Sequence, residues 1–391
     1  MSFLKSIIAF IFANIIGFGS RDTRVYVAPE VKTEIRNEIS TSTPELQVKK
    51  EVTVEAKNET GTKPLATSTP VKKVVPIAEI KTPTTPQSKT KESVNTQTTP
   101  EQKPVLILPP PDFETINKKA REVIVNILCT TNGNSLSPVS GTGVIVGQSG
   151  LILTNAHLAQ YLLLKDFGRK DAVECVGRTG SPAYPRYNLE LVYISPIWVK
   201  NNKSLLKEQN PQGTGENDFA FLRITNNIDN SLLPEGFKYI PMNVVEIINL
   251  DDPVLLISYP AGFLGGISIL QGLNITSAIT TVREVFTFKT DTIDLISVPG
   301  TVVSQKGSSG GAVIDKFSTL IGLISTSSDG DTTDKRDLRA ITLGYINRTM
   351  QEEFGIDLKQ FVEINPLEFA KKFQEINAPN LTKIITDELS R

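Results

Sequence analysis

The sequence predicts an all-β fold, and three features carry that reading. Short apolar runs such as Gly141-Thr142-Gly143-Val144-Ile145-Val146 and Leu151-Ile152-Leu153-Thr154 are separated by turns as tight as Gly147-Gln148-Ser149-Gly150, the punctuation of small antiparallel strands in a β-barrel. The same pattern of strand-like run and turn continues from Glu122 to Leu343. The side chains best suited to chemistry stand at the ends of such runs: His157 just after Gly150-Leu151-Ile152-Leu153, Asp218 at the head of Phe219-Ala220-Phe221-Leu222, and Ser309 just before Ala312-Val313-Ile314.

Residues 1–20 open the chain with Lys5 and an apolar run from Ile7 to Phe18, extended forward by Phe3 and Leu4. That is the length of a signal-peptide core and short for a spanning helix. Gly17 and Gly19 offer small residues for a cleavage site. The run is read as an export signal, either removed or kept as a membrane anchor through residues 3–18, so the protein is expected outside the cytoplasm or secreted. Residues 21–111 are rich in Thr, Pro, Lys, Glu and Val, with Tyr26 as the lone aromatic. Without large apolar groups such a stretch cannot offset the entropy of ordering its backbone. It is expected to be a disordered linker with an end-to-end distance of about 50 Å as a flexible coil.

Order is expected to resume at residue 112. Asp112 is placed to cap a short helix through Glu114, Ile116 and Lys119, because its carboxylate can accept from a first-turn N–H. Glu122–Cys129 then reads as the first buried strand, followed by Gly141–Val146 and Leu151–Thr154. After His157 a helical turn through Ala159, Tyr161 and Leu162 leads to strands at Ala172–Gly177, Asn188–Ile194 and Phe219–Ile224. Trp198, the single tryptophan, is read as the anchor of a loop between them, and residues 200–215 as an exposed excursion that delivers Asp218. A second group of strands is expected at Val254–Ser258, Gly266–Asn274, Ala278–Phe288, Ile293–Val298, Ala312–Asp315, Thr319–Ser325 and Leu338–Leu343. Phe369, Phe373 and Ile376 at helical spacing predict one short further helix packed on the barrel.

Lys306-Gly307-Ser308-Ser309-Gly310-Gly311 has the chemistry of an acyl-transfer nucleophile. Glycine lacks the Cβ that would block close approach, so Ser309 can stand at the tip of a turn while the N–H groups of Gly307 and Ser309 converge on a developing oxyanion. A glycine and serine cluster alone is an ordinary turn, and a lone histidine alone is an ordinary structural residue. Here the chain has a single histidine, and it falls in Thr154-Asn155-Ala156-His157. In Glu216-Asn217-Asp218-Phe219 an acidic residue also heads a buried run, where orienting an imidazole gives a carboxylate a reason to be.

The order His157, Asp218, Ser309 and the motifs TNAH, NDFAFL and GSSGGA resemble the chymotrypsin/trypsin-like serine peptidases, and among them the bacterial HtrA-type protease domains. Leu255–Phe263 and Leu320–Ser325 resemble supporting strands of that group. The resemblance implies two six-stranded antiparallel Greek-key β-barrels of the chymotrypsin type over residues 112–355. It also implies a terminal helix at Tyr345–Phe354, while the helical spacing of Phe369, Phe373 and Ile376 makes residues 356–391 a C-terminal helical extension that leaves no room for a PDZ module. It implies a serine endopeptidase acting on a peptide or protein substrate, with Val303 at the base of the primary pocket, Ser304 beside it, and Ser325, Thr326 and Ser327 along the wall. None of these neutralises a buried cation, and no second histidine is present to receive an acidic side chain, so the pocket is expected to suit small or medium apolar residues. Asp331, Asp334 and Asp337 lie on the loop that could alter this. In trypsin-like zymogens an Asp before the nucleophile receives a new N-terminus; here that position is Ser308. The family barrel sets the strands of Cys129 and Cys175 side by side, where the two form either a disulfide or two buried thiols.

The competing class is an inactive barrel used as a binding or scaffold module. Such a barrel usually loses a triad member or the glycine before the serine, and all are present here. One histidine and two distant cysteines exclude a zinc cluster, and no phosphate-binding glycine loop of Walker or Rossmann spacing occurs. No metal or cofactor is expected, and a net charge of −1 argues against nucleic acid as a partner.

Overall fold

The computed structural model describes residues 72–73, 112–132, 136–208, 213–244, 247–262, 264–289, 291–327, 332, 335 and 337–391. The expected signal or anchor over 1–20, nearly all of the linker over 21–111, and Asp331 and Asp334 lie outside the described residues. A two-residue strand β1 (Lys72–Lys73) precedes the domain. The domain opens with helix α1 (Phe113–Arg121), whose cap is Asp112 accepting from Thr115 N.

The first barrel is closed in the order β2-β3-β4-β7-β6-β5. Its strands are β2 (Ile124–Thr131), β3 (Val139–Ile145), β4 (Leu151–Thr154), β5 (Val173–Thr179), β6 (Tyr184–Ile194) and β7 (Ala220–Asn227). All pairings are antiparallel, and closure leaves no free edge. Cys129 and Cys175 face each other in the β2–β5 register and are joined as a disulfide. Closing a loop with a sequence separation of 46 restricts the unfolded chain by about 4 kcal/mol on the chain-entropy account.

The second half is a curled sheet in the order β1-β10-β11-β14-β13-β12-β8-β9. Its members are β8 (Pro253–Ser258), β9 (Thr276–Thr281), β10 (Glu284–Thr287), β11 (Leu295–Val298), β12 (Ala312–Asp315), β13 (Leu320–Ser327) and β14 (Leu338–Thr342). The run expected as one strand at Ala278–Phe288 is two. Val282 N bonds to Asp252 O beside β8, whereas Arg283 N bonds to Ser297 O of β11, so the chain leaves one side of the sheet at Val282 and joins the other. That bend curls the sheet into the second half of a chymotrypsin-like two-barrel fold.

The strand expected at Gly266–Asn274 is helix α4 (Gly266–Gln271). Ile267 and Ile269 mimic strand alternation, but Ile269 leans on the core while Ile267 and Leu270 are exposed. Buried Arg178 donates through Nη1 to Ile269 O and Leu270 O at the helix end, partners that a strand would not free. Between α1 and α4 two further helices form. α2 (Ala156–Ala159) runs into a 3₁₀ turn at Gln160–Leu164, and α3 (Pro196–Asn201) carries Trp198, fully buried in a helix where a loop was expected.

Four helices close the chain: α5 (Leu343–Phe354), α6 (Leu358–Glu363), α7 (Pro366–Ile376) and α8 (Ala378–Leu389). The single extra helix expected after α5 is therefore three. Phe354, Phe361, Phe369 and Phe373 pack edge-on among themselves and against Tyr193 of the first barrel, and Phe361 meets Phe221 of that barrel at a tilt, with ring centroids 4.7–5.9 Å apart. Each such pair contributes about 1 kcal/mol beyond its buried area. The extension thus straps the second half of the domain to the first. Ile376, assigned to this face on spacing, is instead half-exposed. The exposed excursion expected at 200–215 also meets the strap: Leu205 is buried and Lys207 Nζ donates to Glu388 O of α8. Among the described residues no helix is long and apolar enough to cross a membrane.

Under the strap, Tyr193 OH donates to Glu353 Oε2, and Glu353 Oε1 is buried without a partner. Burial lifts the Glu353 carboxyl from 4.5 to about 7. A raised acid pKa means the folded state holds the proton more tightly than the unfolded state, so stability is present below about pH 4.5 and is lost as pH rises to about 7. The loss amounts to about 3 kcal/mol. Glu353→Gln is expected to flatten this dependence and raise stability at pH 8, as read by urea denaturation at pH 5 and pH 8; equal slopes in both proteins would refute it.

Candidate active site

His157 is carried on α2 directly after β4, and the whole turn is buried. Its carbonyl accepts from Gln160 Nε2 at 2.9 Å, which fixes the turn. Asp218 sits at the end of a tight turn just before β7. Gly215 and Asn217 adopt positive φ there, 86° and 59°, and Asp218 N donates to Gly215 O at 3.1 Å. The turn is tied to α2 by Asn155 Nδ2 donating to Asp218 O at 2.8 Å.

The Asp218 carboxylate is fully buried and accepts three hydrogen bonds. His157 N donates to Oδ1 at 3.0 Å, His157 Nδ1 donates to Oδ2 at 2.9 Å, and Ser325 Oγ donates to Oδ2 at 2.8 Å. A buried carboxylate with every near donor supplied is a stable neighbour for an imidazole, and it fixes the tautomer with the proton on Nδ1. Nε2 is left as the acceptor.

Ser309 lies in the turn before β12, half-buried, and its Oγ donates to Ser325 O at 3.3 Å. Its hydrogen bond therefore goes to Ser325 and not to His157. Ser325 joins the parts: its carbonyl meets Ser309, and its hydroxyl meets Asp218. The sequence placed Ser325 on a pocket wall and missed this contact, whose signal was its position at the end of the Leu320–Ser325 run.

The serine turn is held from the first barrel by Thr142 of β3, a residue the motifs did not single out. Thr142 N donates to Ser309 O and Thr142 Oγ1 to Gly307 O, each at 2.8 Å. With both carbonyls drawn to one side, the N–H groups of Gly307 and Ser309 have no partner among the described residues. Gly307 has φ +90°, and a Cβ there would come within 2.8 Å of Tyr259 O, so only glycine fits. Ser308 is buried, donates to Val303 O and accepts from Ser258 Oγ at 2.9 Å. Neutral partners fill the place where a zymogen pairs an Asp with a new N-terminus.

Of the residues assigned to the primary pocket, Val303 is fully buried in an apolar cluster with Val254, Ile296, Val298 and Leu338. Buried Ser304 accepts from Thr301 N through Oγ at 2.9 Å. Thr326 pairs with Arg339 and Ser327 with Leu338 across β13 and β14. Leu338 was read from the sequence only as a strand end and not as a pocket residue, because only the strand register brings it opposite Ser327. Asp337, a candidate to charge this region, accepts from Ser297 Oγ and from Arg339 Nε, the latter at 3.0 Å. No group of side chains suited to a metal ion occurs among the described residues.

A family model described as a trypsin-like peptidase domain matches residues 141–323. The matched stretch holds His157, Asp218 and Ser309 and supports a trypsin-like serine peptidase. No curated protein matches the chain.

Proposed function

We propose that the domain is a serine endopeptidase, HtrA-like in its motifs, that cleaves peptide bonds through an acyl-enzyme. Ser309 Oγ attacks the scissile carbonyl while His157 Nε2 takes its proton. The same imidazole hands that proton to the leaving amine as the C–N bond breaks, and water then hydrolyses the ester by the reverse proton path. Asp218 holds the ring through Nδ1 and stabilises the imidazolium. The N–H groups of Gly307 and Ser309 receive the oxyanion.

The observation that carries this reading is the pairing of His157 Nδ1 with buried Asp218 at 2.9 Å beside a serine turn that leaves two backbone donors unused. The bond from Ser309 to Ser325 O is the one feature of the site that points toward an inactive scaffold barrel. At 3.3 Å it is long, and rotation about Cα–Cβ releases the hydroxyl, in keeping with apo sites whose catalytic contacts tighten only on substrate.

The substrate side follows from charge. Val303 and Leu338 are buried and apolar, and Asp337 is already paired with Arg339. An arginine or lysine entering there would be desolvated without a counter-charge. Profiling the purified chain against a diverse peptide library is expected to show cleavage after Val, Ala or Leu. kcat/KM after those residues should exceed that after Arg, Lys or Glu by about 100-fold or more. Dominant cleavage after a basic residue would overturn the neutral pocket, and no cleavage at all would overturn the peptidase reading.

The apolar run at residues 3–18 and the Cys129–Cys175 disulfide both favour a site of action outside the cytoplasm. Cell fractionation of the expressed chain should recover it there, whether released or membrane-attached. Retention in the cytoplasm with both thiols reduced would refute export.

A further inference from the structure

Tyr345 is held at the start of α5, where its N–H bonds to the capping Thr342 Oγ1 at 3.1 Å and the edge of Phe288 meets its ring at 5.0 Å. Its hydroxyl reaches across to the turn that carries Asp218. It accepts from Asn217 N at 3.2 Å and donates to Asn217 Oδ1 at 3.1 Å. Asn217 is the residue before Asp218 and has φ 59°, a left-handed conformation that costs a residue with a Cβ, though less for Asn than for most. Two hydrogen bonds from one buried hydroxyl offset that cost. They do so from a helix of the second half, while Ser325 holds the Asp218 carboxylate from the same half.

We propose that Tyr345 is a positioning residue for the His157–Asp218 pair, keeping Asn217 in the left-handed turn that aims the Asp218 carboxylate at the imidazole. Its consequence for rate rests on the peptidase reading above; its effect on the imidazole does not. The charged groups around the hydroxyl are Glu216 and Asp294. Asp294 is engaged by Arg348 and by the N–H groups of Phe288 and Lys289, and burial keeps the Tyr345 phenol above its ordinary range. The hydroxyl therefore stays a neutral donor through the working pH range.

The single histidine of the chain makes the test direct, since every imidazole NMR signal belongs to His157. Tyr345→Phe retains the ring and its contact with Phe288 while deleting the tether. The low-field Nδ1–H signal of His157 is expected to weaken. In peptide hydrolysis kcat is expected to fall about 5- to 30-fold with KM within about twofold. Asn217→Gly, which accepts the left-handed backbone but lacks Oδ1, is expected to show a smaller change that does not add to that of Tyr345→Phe. A lower melting temperature with an unchanged His157 Nδ1–H signal and unchanged kcat would overturn the proposal and leave Tyr345 a packing contact. If the imidazole signals shift while the unaltered protein hydrolyses nothing, the tether stands and the peptidase reading falls; unshifted signals in an active enzyme give the converse.

Discussion

Ser309→Ala is expected to lower kcat for peptide hydrolysis by on the order of 10⁴- to 10⁶-fold and to abolish labelling by a fluorophosphonate, with the fold intact. The size follows from how the work is divided. In the proposed mechanism the nucleophile, the base and the orienting carboxylate act as one unit, so removing the hydroxyl removes nearly all that the unit supplies. The N–H groups of Gly307 and Ser309 persist because they belong to the backbone, and they should sustain a remnant of catalysis above the rate in water. Fold preservation is expected because the one hydrogen bond Ser309 Oγ makes is to Ser325 O at 3.3 Å, too long to contribute much. Mapping the adduct on the unaltered protein separates this residue from its neighbour. Ser308 Oγ is buried between Val303 O and Ser258 Oγ and has no path to a substrate carbonyl. An adduct on Ser308, or activity kept in Ser309→Ala within about tenfold, would remove Ser309 from the role.

What could be read from the chain and what could not divides along the kind of interaction involved. Local chemistry was legible. The glycines around Ser309 declare a turn, the cap at Asp112 declares a helix start, and the first-barrel runs lie within a few residues of the strands observed. Long-range partnership was not. Ser325 looked like a wall residue because nothing in Leu320–Ser325 shows that its hydroxyl ends on Asp218, 107 positions away. Thr142 looked like a strand residue because its two bonds to the serine turn cross from one half of the domain to the other. Gly266–Gln271 read as a strand because a short apolar run carries no period of its own. The helix is favoured there by buried Arg178, whose guanidinium needs the carbonyls that a helix end presents. The C-terminal strap was half legible: Phe369 and Phe373 show a helical face, but the aromatic cluster that receives it is formed by Tyr193, Phe354 and Phe361 from three separate elements.

Gly310→Ala is expected to destabilise the domain by about 3–5 kcal/mol, lowering its melting temperature by about 10 °C, and to eliminate labelling of Ser309. Gly310 has φ +81°, and an added Cβ would be driven into Thr142 O and to 2.7 Å from Thr154 Oγ1. Neither neighbour is free to yield. Thr142 O already accepts from Thr154 Oγ1 at 2.7 Å, Thr142 Oγ1 accepts from Tyr259 N at 3.0 Å, and Gly310 N donates to Ile324 O at 2.7 Å. Relief can come only by pushing the serine turn away from β3. That movement would break the bonds from Thr142 to Gly307 O and Ser309 O, which hold the turn whose Gly307 and Ser309 N–H groups are the proposed oxyanion donors. One methyl group should therefore cost stability and catalysis together. Gly236 supplies the control, because a Cβ there meets nothing within 4 Å, and Gly236→Ala should leave melting and labelling unchanged. If Gly310→Ala melts within about 2 °C of the unaltered protein and labels at the same rate, the clasp between Thr142 and the serine turn is looser than these contacts require, and the first barrel does not hold the oxyanion site in place.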